Sequence, residues 1–79
     1  MTINVSELYG KKMISSTGHW IGEVGEVVID LENGSVSHLL LGKVESGKAR
    51  EVIRELFKNG VEYNRVKKVS ETILVSGNQ

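Results

Sequence analysis

VVIDLENGSVSHLLLGKV, residues 27–44, is the stretch on which the architecture turns. Two β-rich runs flank Asn33-Gly34, and the second carries three leucines in succession, Leu39, Leu40 and Leu41. Asn-Gly between such runs is the strongest short hairpin signal, because a type I′ turn needs positive φ at both central residues. A two-residue turn sets Glu32 opposite Ser35 and Leu31 opposite Val36. Side chains alternate along a strand, so Val36, Leu40 and Val44 then share one face with His38, while Leu39 and Leu41 take the other. The first set fills an interior. The second needs cover from outside.

Upstream, Ile21, Val27, Ile29 and Leu31 share one parity, whereas Val24 and Val28 fall on the other. The change occurs around Gly22 and Gly25, and glycine within a strand marks a bulge or a sharp bend. One long strand over residues 20–32 is expected, bent to serve two parts of a closed sheet. Residues 11–15 read as a short strand with Met13 and Ser15 on one face and Lys12 and Ile14 on the other. Before it, Ser6 is placed to cap a helical turn that Gly10 ends.

Downstream the period changes. Ala49, Val52, Ile53, Leu56 and Phe57 form the stripe of an amphipathic helix over about 48–58, with Arg50, Glu51, Arg54, Glu55 and Lys58 on the solvent side. Asn59-Gly60 should end it, with Gly60 left-handed. Two short strands follow, over 62–66 and 71–75, joined by residues 67–70, and 76–79 is expected to fray. The sum is a mainly β chain, a small barrel of five to six strands with one inserted α-helix.

Seventy-nine residues make one domain, 1–79. A chain this short buries only about 60% of its unfolded surface, so its stability is marginal. With no cysteine, neither a disulfide framework nor a thiolate site is possible. Ten basic residues balance ten acidic ones, leaving no long-range field to attract nucleic acid or anionic lipid. No apolar run approaches the roughly 20 residues of a membrane span, and the N-terminus lacks a signal-peptide core. The expectation is a cytoplasmic chain without membrane insertion.

Candidate chemistry is sparse. No nucleophile motif with an oxyanion-hole context occurs, so no catalytic residue is assigned. Asp30 ends a β run beside the turn, and its expected role is to accept backbone N–H bonds there. His38 reads as a half-buried histidine satisfied by a backbone carbonyl, and His19 as a solvated turn residue. Without helical or hairpin pairing spacing they give only a weak metal signal, and no metal or cofactor is expected. Arg65, Lys67 and Lys68 cluster with Tyr63, and Lys11-Lys12 can lie near them in a closed sheet. Such a patch can follow a phosphate backbone. The zero net charge, and the use of lysine to blunt strand edges, favour a solvated or edge-guarding role instead. The candidate interface comprises Trp20, Val28, Leu39 and Leu41; Trp20, beside a turn, reads either as an aromatic anchor there or, with Tyr9, as a large apolar body of the small core.

SSTGHWIGEVGEVVIDLENGSVSHLLLG, residues 15–42, resembles the signature of PRC-barrel domains. In that pattern a glycine turn leads to a hydrophobic residue, then Gly-x-Val, then a β run ending in Asp, a turn and a second β run. Gly18, Ile21, Gly22, Val24, Val27 to Asp30, Asn33-Gly34 and Val36 to Leu41 occupy those positions. SELYGKKMISS is similar to the family's entry, and REVIRELFKNGVEYNRV resembles the helix and next strand of stand-alone archaeal members. The chain departs from the family near its end, where Lys67 to Thr72 replace a segment that often carries proline and a Gly-Asp pair. The resemblance implies docking to other proteins and no shared catalytic set. Family members form part of a photosynthetic reaction-centre subunit and of a ribosome-maturation factor, and stand-alone archaeal forms are connected with cell division. The expected function is a small, non-enzymatic protein-interaction adaptor that pairs as a homodimer over Leu39 and Leu41. The alternative is a ribosome- or RNA-processing accessory factor acting through Arg65, Lys67 and Lys68.

Overall fold

The computed structural model describes residues 4–42, 47 and 49–77. A 3₁₀ turn, Val5–Glu7, leads into strands β1 (Lys12–Ser15), β2 (Trp20–Glu23), β3 (Glu26–Asp30) and β4 (Ser35–Leu40). Helix α1 (Arg50–Lys58) follows, then β5 (Val61–Glu62), a second 3₁₀ turn (Tyr63–Arg65), β6 (Val66–Val69) and β7 (Thr72–Val75). The chain is mainly β, with one α-helix among the described residues. Among the described residues seven strands replace the expected five to six. The long run from Trp20 breaks in two, and the run after the helix is split by the second 3₁₀ turn.

The strands form two sheets, one ordered β2-β1-β7-β6 and the other β3-β4-β5. β1 and β7 are parallel and every other pairing is antiparallel. Among the described residues no ladder joins the sheets, so the expected closed barrel is corrected to two sheets around a shared core. Backbone corners link them instead. At the first corner the Val24 N–H donates to the Lys11 carbonyl at 2.9 Å and the Gly25 N–H to the Leu40 carbonyl at 2.7 Å. Consecutive amides thus serve opposite sheets. A ladder cannot run through so sharp a corner, where a β-carbon on Gly25 would sit 3.0 Å from the Gly42 backbone.

The core lies between the sheets. Met13, Ile73 and Val75 come from the four-stranded sheet, Val27, Leu39 and Val61 from the three-stranded one, Val24 from the corner and Leu8 from the entry turn. Parallel register sets Met13 beside Ile73 and Ser15 beside Val75, so both strands bury the same parity. This matches the expected alternation of Met13 and Ser15 against Lys12 and Ile14.

The leucines require a correction. Leu39 is 0% exposed within the core cluster, not outward-facing. Leu40 is also 0% exposed but on the opposite face, with its Cδ2 2.6 Å from where a β-carbon on Gly60 would stand. The cause is a bulge. Val28 pairs with His38 and Ile29 with Val36, so Ser37 is an extra residue on β4. Counting parity from Val36 without that residue inverts everything beyond it. Leu41 is 37% exposed, and it is partly covered by Gly22, whose β-carbon would meet Leu41 Cδ2 at 2.9 Å. Val44 lies outside the described residues.

The hairpin differs too. Asp30 pairs with Ser35, leaving a four-residue loop over Leu31 to Gly34 that the Gly34 N–H closes on the Asp30 carbonyl at 2.8 Å. Asn33 does not take positive φ and Gly34 does, at 64°, so the turn is not type I′. The Asp30 side chain accounts for this: its carboxylate accepts from the Glu32 N–H at 3.0 Å, the Asn33 N–H at 3.3 Å and the Asn33 side-chain amide at 2.7 Å. An Asx-type turn nucleated by Asp30 outcompetes the two-residue alternative.

Helix α1 keeps the expected stripe but buries none of it fully. Ile53 and Leu56 are half-buried, and Phe57 is 38% exposed. The helix starts at Arg50 with Ala49 at the cap, and Lys48 lies outside the described residues. Gly60 has no positive φ. It is glycine because Leu40 and the Leu56 and Leu39 carbonyls crowd the place of a side chain. Residues 67–69 are strand, not connection, since β6 pairs with β7 and only Ser70 and Glu71 turn. Ser76 and Gly77 are tied down, their N–H groups donating to the Arg65 carbonyl and to Ser16 Oγ, each at 2.8 Å.

Candidate functional site

Asp30, Ser15, His19 and His38 are each held by neighbouring groups. The Asp30 carboxyl is held below its ordinary value of 3.8, first by the Asn33 side-chain amide and then by the Asn33 backbone N–H, against a small opposing effect of burial, with the Glu32 N–H adding to the lowering. An acid stabilised in its ionised form by a turn is poorly suited to proton transfer near neutrality. Ser15, the one buried polar residue described, shares a 2.9 Å hydrogen bond with Thr17 and accepts the His19 N–H at 2.9 Å. Thr17 in turn bonds His19 Nδ1 at 3.0 Å. His19 is therefore exposed yet anchored to its turn. His38 is hydrogen-bonded to Ser37 Oγ and meets Phe57 edge-on, with ring centroids 5.3 Å apart, in place of the expected carbonyl partner. His19 lies in the turn between β1 and β2 and His38 on β4, and no group of three or more His, Cys, Asp or Glu among the described residues could hold a metal ion.

Two of the basic residues are engaged by backbone carbonyls, and Lys11 stands beside the β6–β7 turn as expected. Arg65 is half-buried and its Nη2 donates to the Ser76 carbonyl at 2.9 Å. Lys11 Nζ reaches the Ser70 carbonyl at 2.6 Å. Lys67 and Lys68 are exposed on β6, the edge strand of its sheet, where Lys67 is a bulge residue. Bulges and lysines are devices that discourage pairing at a strand edge.

The candidate interface set also separates. Leu39 is inside. Val28 is half-buried on the helix-bearing face, paired with His38. Leu41 lies at the corner, against Gly22, beside a groove lined by Tyr9, Gly10, Glu23, Val24, Gly25 and Leu41. Trp20 is on the outside of the four-stranded sheet and 59% exposed, so it is not a core residue.

What Trp20 joins was missed from sequence. It pairs with Ile14, Ile14 with Leu74, and Leu74 with Lys68, a row that crosses all four strands. The residues on either side of Ile14 and Leu74 along their strands, Met13, Ser15, Ile73 and Val75, point into the core, so the row lies on the opposite face. The alternation of Lys12 to Ser15 indicated that Ile14 is outward. Only the parallel register of β1 with β7 brings Leu74 beside it.

The family model of the PRC-barrel domain matches residues 1–78. No curated protein matches the chain. No helix among the described residues is long and apolar enough to cross a membrane.

Proposed function

This chain belongs to the PRC-barrel domain family, and from that premise we propose that it is a non-enzymatic, self-associating docking module for other proteins. The observation that carries this reading is Trp20. The domain's sole tryptophan stands on a strand face with most of its surface open, while Asp30, Arg65 and Ser15 are engaged in turns and backbone contacts. Aromatic side chains are the usual anchors of protein interfaces, and Trp20 has the position and exposure of one. The resemblance to stand-alone archaeal members makes division proteins the first partner class to try, in a cytoplasmic setting.

Affinity capture from native cells with the wild type and with Trp20→Ala, after nuclease treatment, tests the proposal. We expect division proteins retained by the wild type and lost by the variant. Recovery of ribosomal proteins that depends on intact RNA and is insensitive to Trp20 would favour the accessory-factor reading through Lys67 and Lys68 instead.

A further inference from the structure

We infer that the outer face of the β2-β1-β7-β6 sheet is where two copies of this chain meet, related by a two-fold axis that runs along the strands. The inference rests on the self-association proposed above and assigns it a surface and a geometry.

The row that crosses this face reads aromatic, aliphatic, aliphatic, cation: Trp20, Ile14, Leu74, Lys68. Face-to-face sheets stand about 10 Å apart with adjacent strands about 4.8 Å apart, so each side chain in the row meets the one on the strand above it. A two-fold interface must be self-complementary. Two in-plane axes are available. An axis perpendicular to the strands places Lys68 on Lys68 of the second copy and Trp20 on Trp20. An axis along the strands exchanges β2 with β6 and β1 with β7. It then sets Ile14 on Leu74, Leu74 on Ile14, and Trp20 under Lys68 at both ends. The first geometry buries two like charges against each other; the second converts both into cation–π contacts. The neighbouring row agrees, because the second axis sets Lys12 over Thr72, whose partnership across β1 and β7 places them in one row. Charge and shape thus select one arrangement.

The face is small. Four strands by four residues fall well short of the roughly 800 Å² per partner of a standard stable complex. Association is therefore weak and set by concentration, as suits a module that gathers partners reversibly.

Trp20 is the sole tryptophan, so its emission reports on this face alone. Sedimentation equilibrium and fluorescence from about 10 μM to about 1 mM span the relevant affinities. We expect monomer to pass to dimer while the emission moves to the blue. Trp20→Lys, which places lysine on Lys68 of the second copy, should weaken association at least tenfold. Lys68→Glu alone should weaken it less, and Trp20→Lys with Lys68→Glu should restore it by bringing opposite charges together. Far-ultraviolet circular dichroism checks that each variant remains folded, and the exposed edge position of Lys68 makes its variant the safer one. If the wild type dimerises with unchanged emission and all variants match it, this face is wrong while self-association stands. A dimer that Trp20→Lys breaks and the double variant does not recover rules out the along-strand axis. A wild type that is monomeric throughout the range overturns both this surface and the self-association it rests on.

Discussion

The β1–β7 ladder and the β3–β4 hairpin handle the same problem in opposite ways. Both must supply one apolar face to a shared core from short strands. β1 and β7 keep strict alternation, burying Met13, Ser15, Ile73 and Val75 and leaving Ile14 and Leu74 outside. The hairpin inserts Ser37, and beyond that bulge consecutive leucines are buried on opposite faces, Leu39 in the core and Leu40 beside Gly60 at the end of α1. A regular ladder yields a two-sided sheet, on whose outer face Ile14 and Leu74 are half-buried and Trp20 is exposed. A bulged one can bury both sides where a helix is available to lie over the second. Helix α1 lies on the Leu40 side of the hairpin, with Phe57 against His38 and Gly60 against Leu40.

The largest expected effect tests that contrast directly. Leu39→Ala should cost about 2–5 kcal/mol, the range for a fully buried leucine, whereas Leu74→Ala on the open face should cost about 1–2 kcal/mol. Equal losses in urea unfolding would show that the two faces are covered alike. Next comes the corner that separates the regions. Gly25→Ala places a methyl 3.0 Å from the Gly42 backbone, and overpacking of this kind costs about 1–3 kcal/mol. A variant as stable as the wild type would mean that the corner yields easily and the sheets are not held apart by it.

The helix provides a smaller test. Phe57 is 38% exposed and packs edge-on to His38, so Phe57→Ala should cost about 1–2 kcal/mol, less than the 3–5 kcal/mol of a core aromatic. A loss in the core range would place Phe57 deeper than the helix contact allows. The smallest effect concerns the hairpin tip. Because the Asp30 carboxyl is depressed below 3.8, its stabilisation is present above that value and is lost as pH falls through the lower folded-state value. The melting-temperature gap between the wild type and Asp30→Asn should therefore narrow between pH 7 and pH 2. A gap that stays constant would mean that ionised Asp30 does not hold the turn.

Much of the local structure was legible in residues 11–15 and 49–57, where an unbroken period of two or of about 3.6 reports which side chains share a face. Asp30 was also legible, since its turn chemistry is local. The hairpin register was not, because two turn signals overlapped: Asn33-Gly34 favoured a two-residue loop and Asp30 a four-residue one, and hydrogen bonds from Glu32 and Asn33 decided for Asp30. The Ser37 bulge left no mark in composition, and one extra residue inverts every parity after it.

By itself the sequence determined the elements whose cause is local. These are the β runs, the amphipathic helix and the glycine-marked corner, each readable within a dozen residues or so, together with the absence of thiolate chemistry and the PRC-barrel signature of residues 15–42. Tertiary structure alone decided which faces meet. The parallel pairing of β1 with β7 joins residues some sixty positions apart and completes the outward row of Trp20, Ile14, Leu74 and Lys68, while the bulged register of β4 against β3 decides which leucines enter the core. Contacts at that separation depend on how the whole chain closes around its core, and no local period encodes that closure.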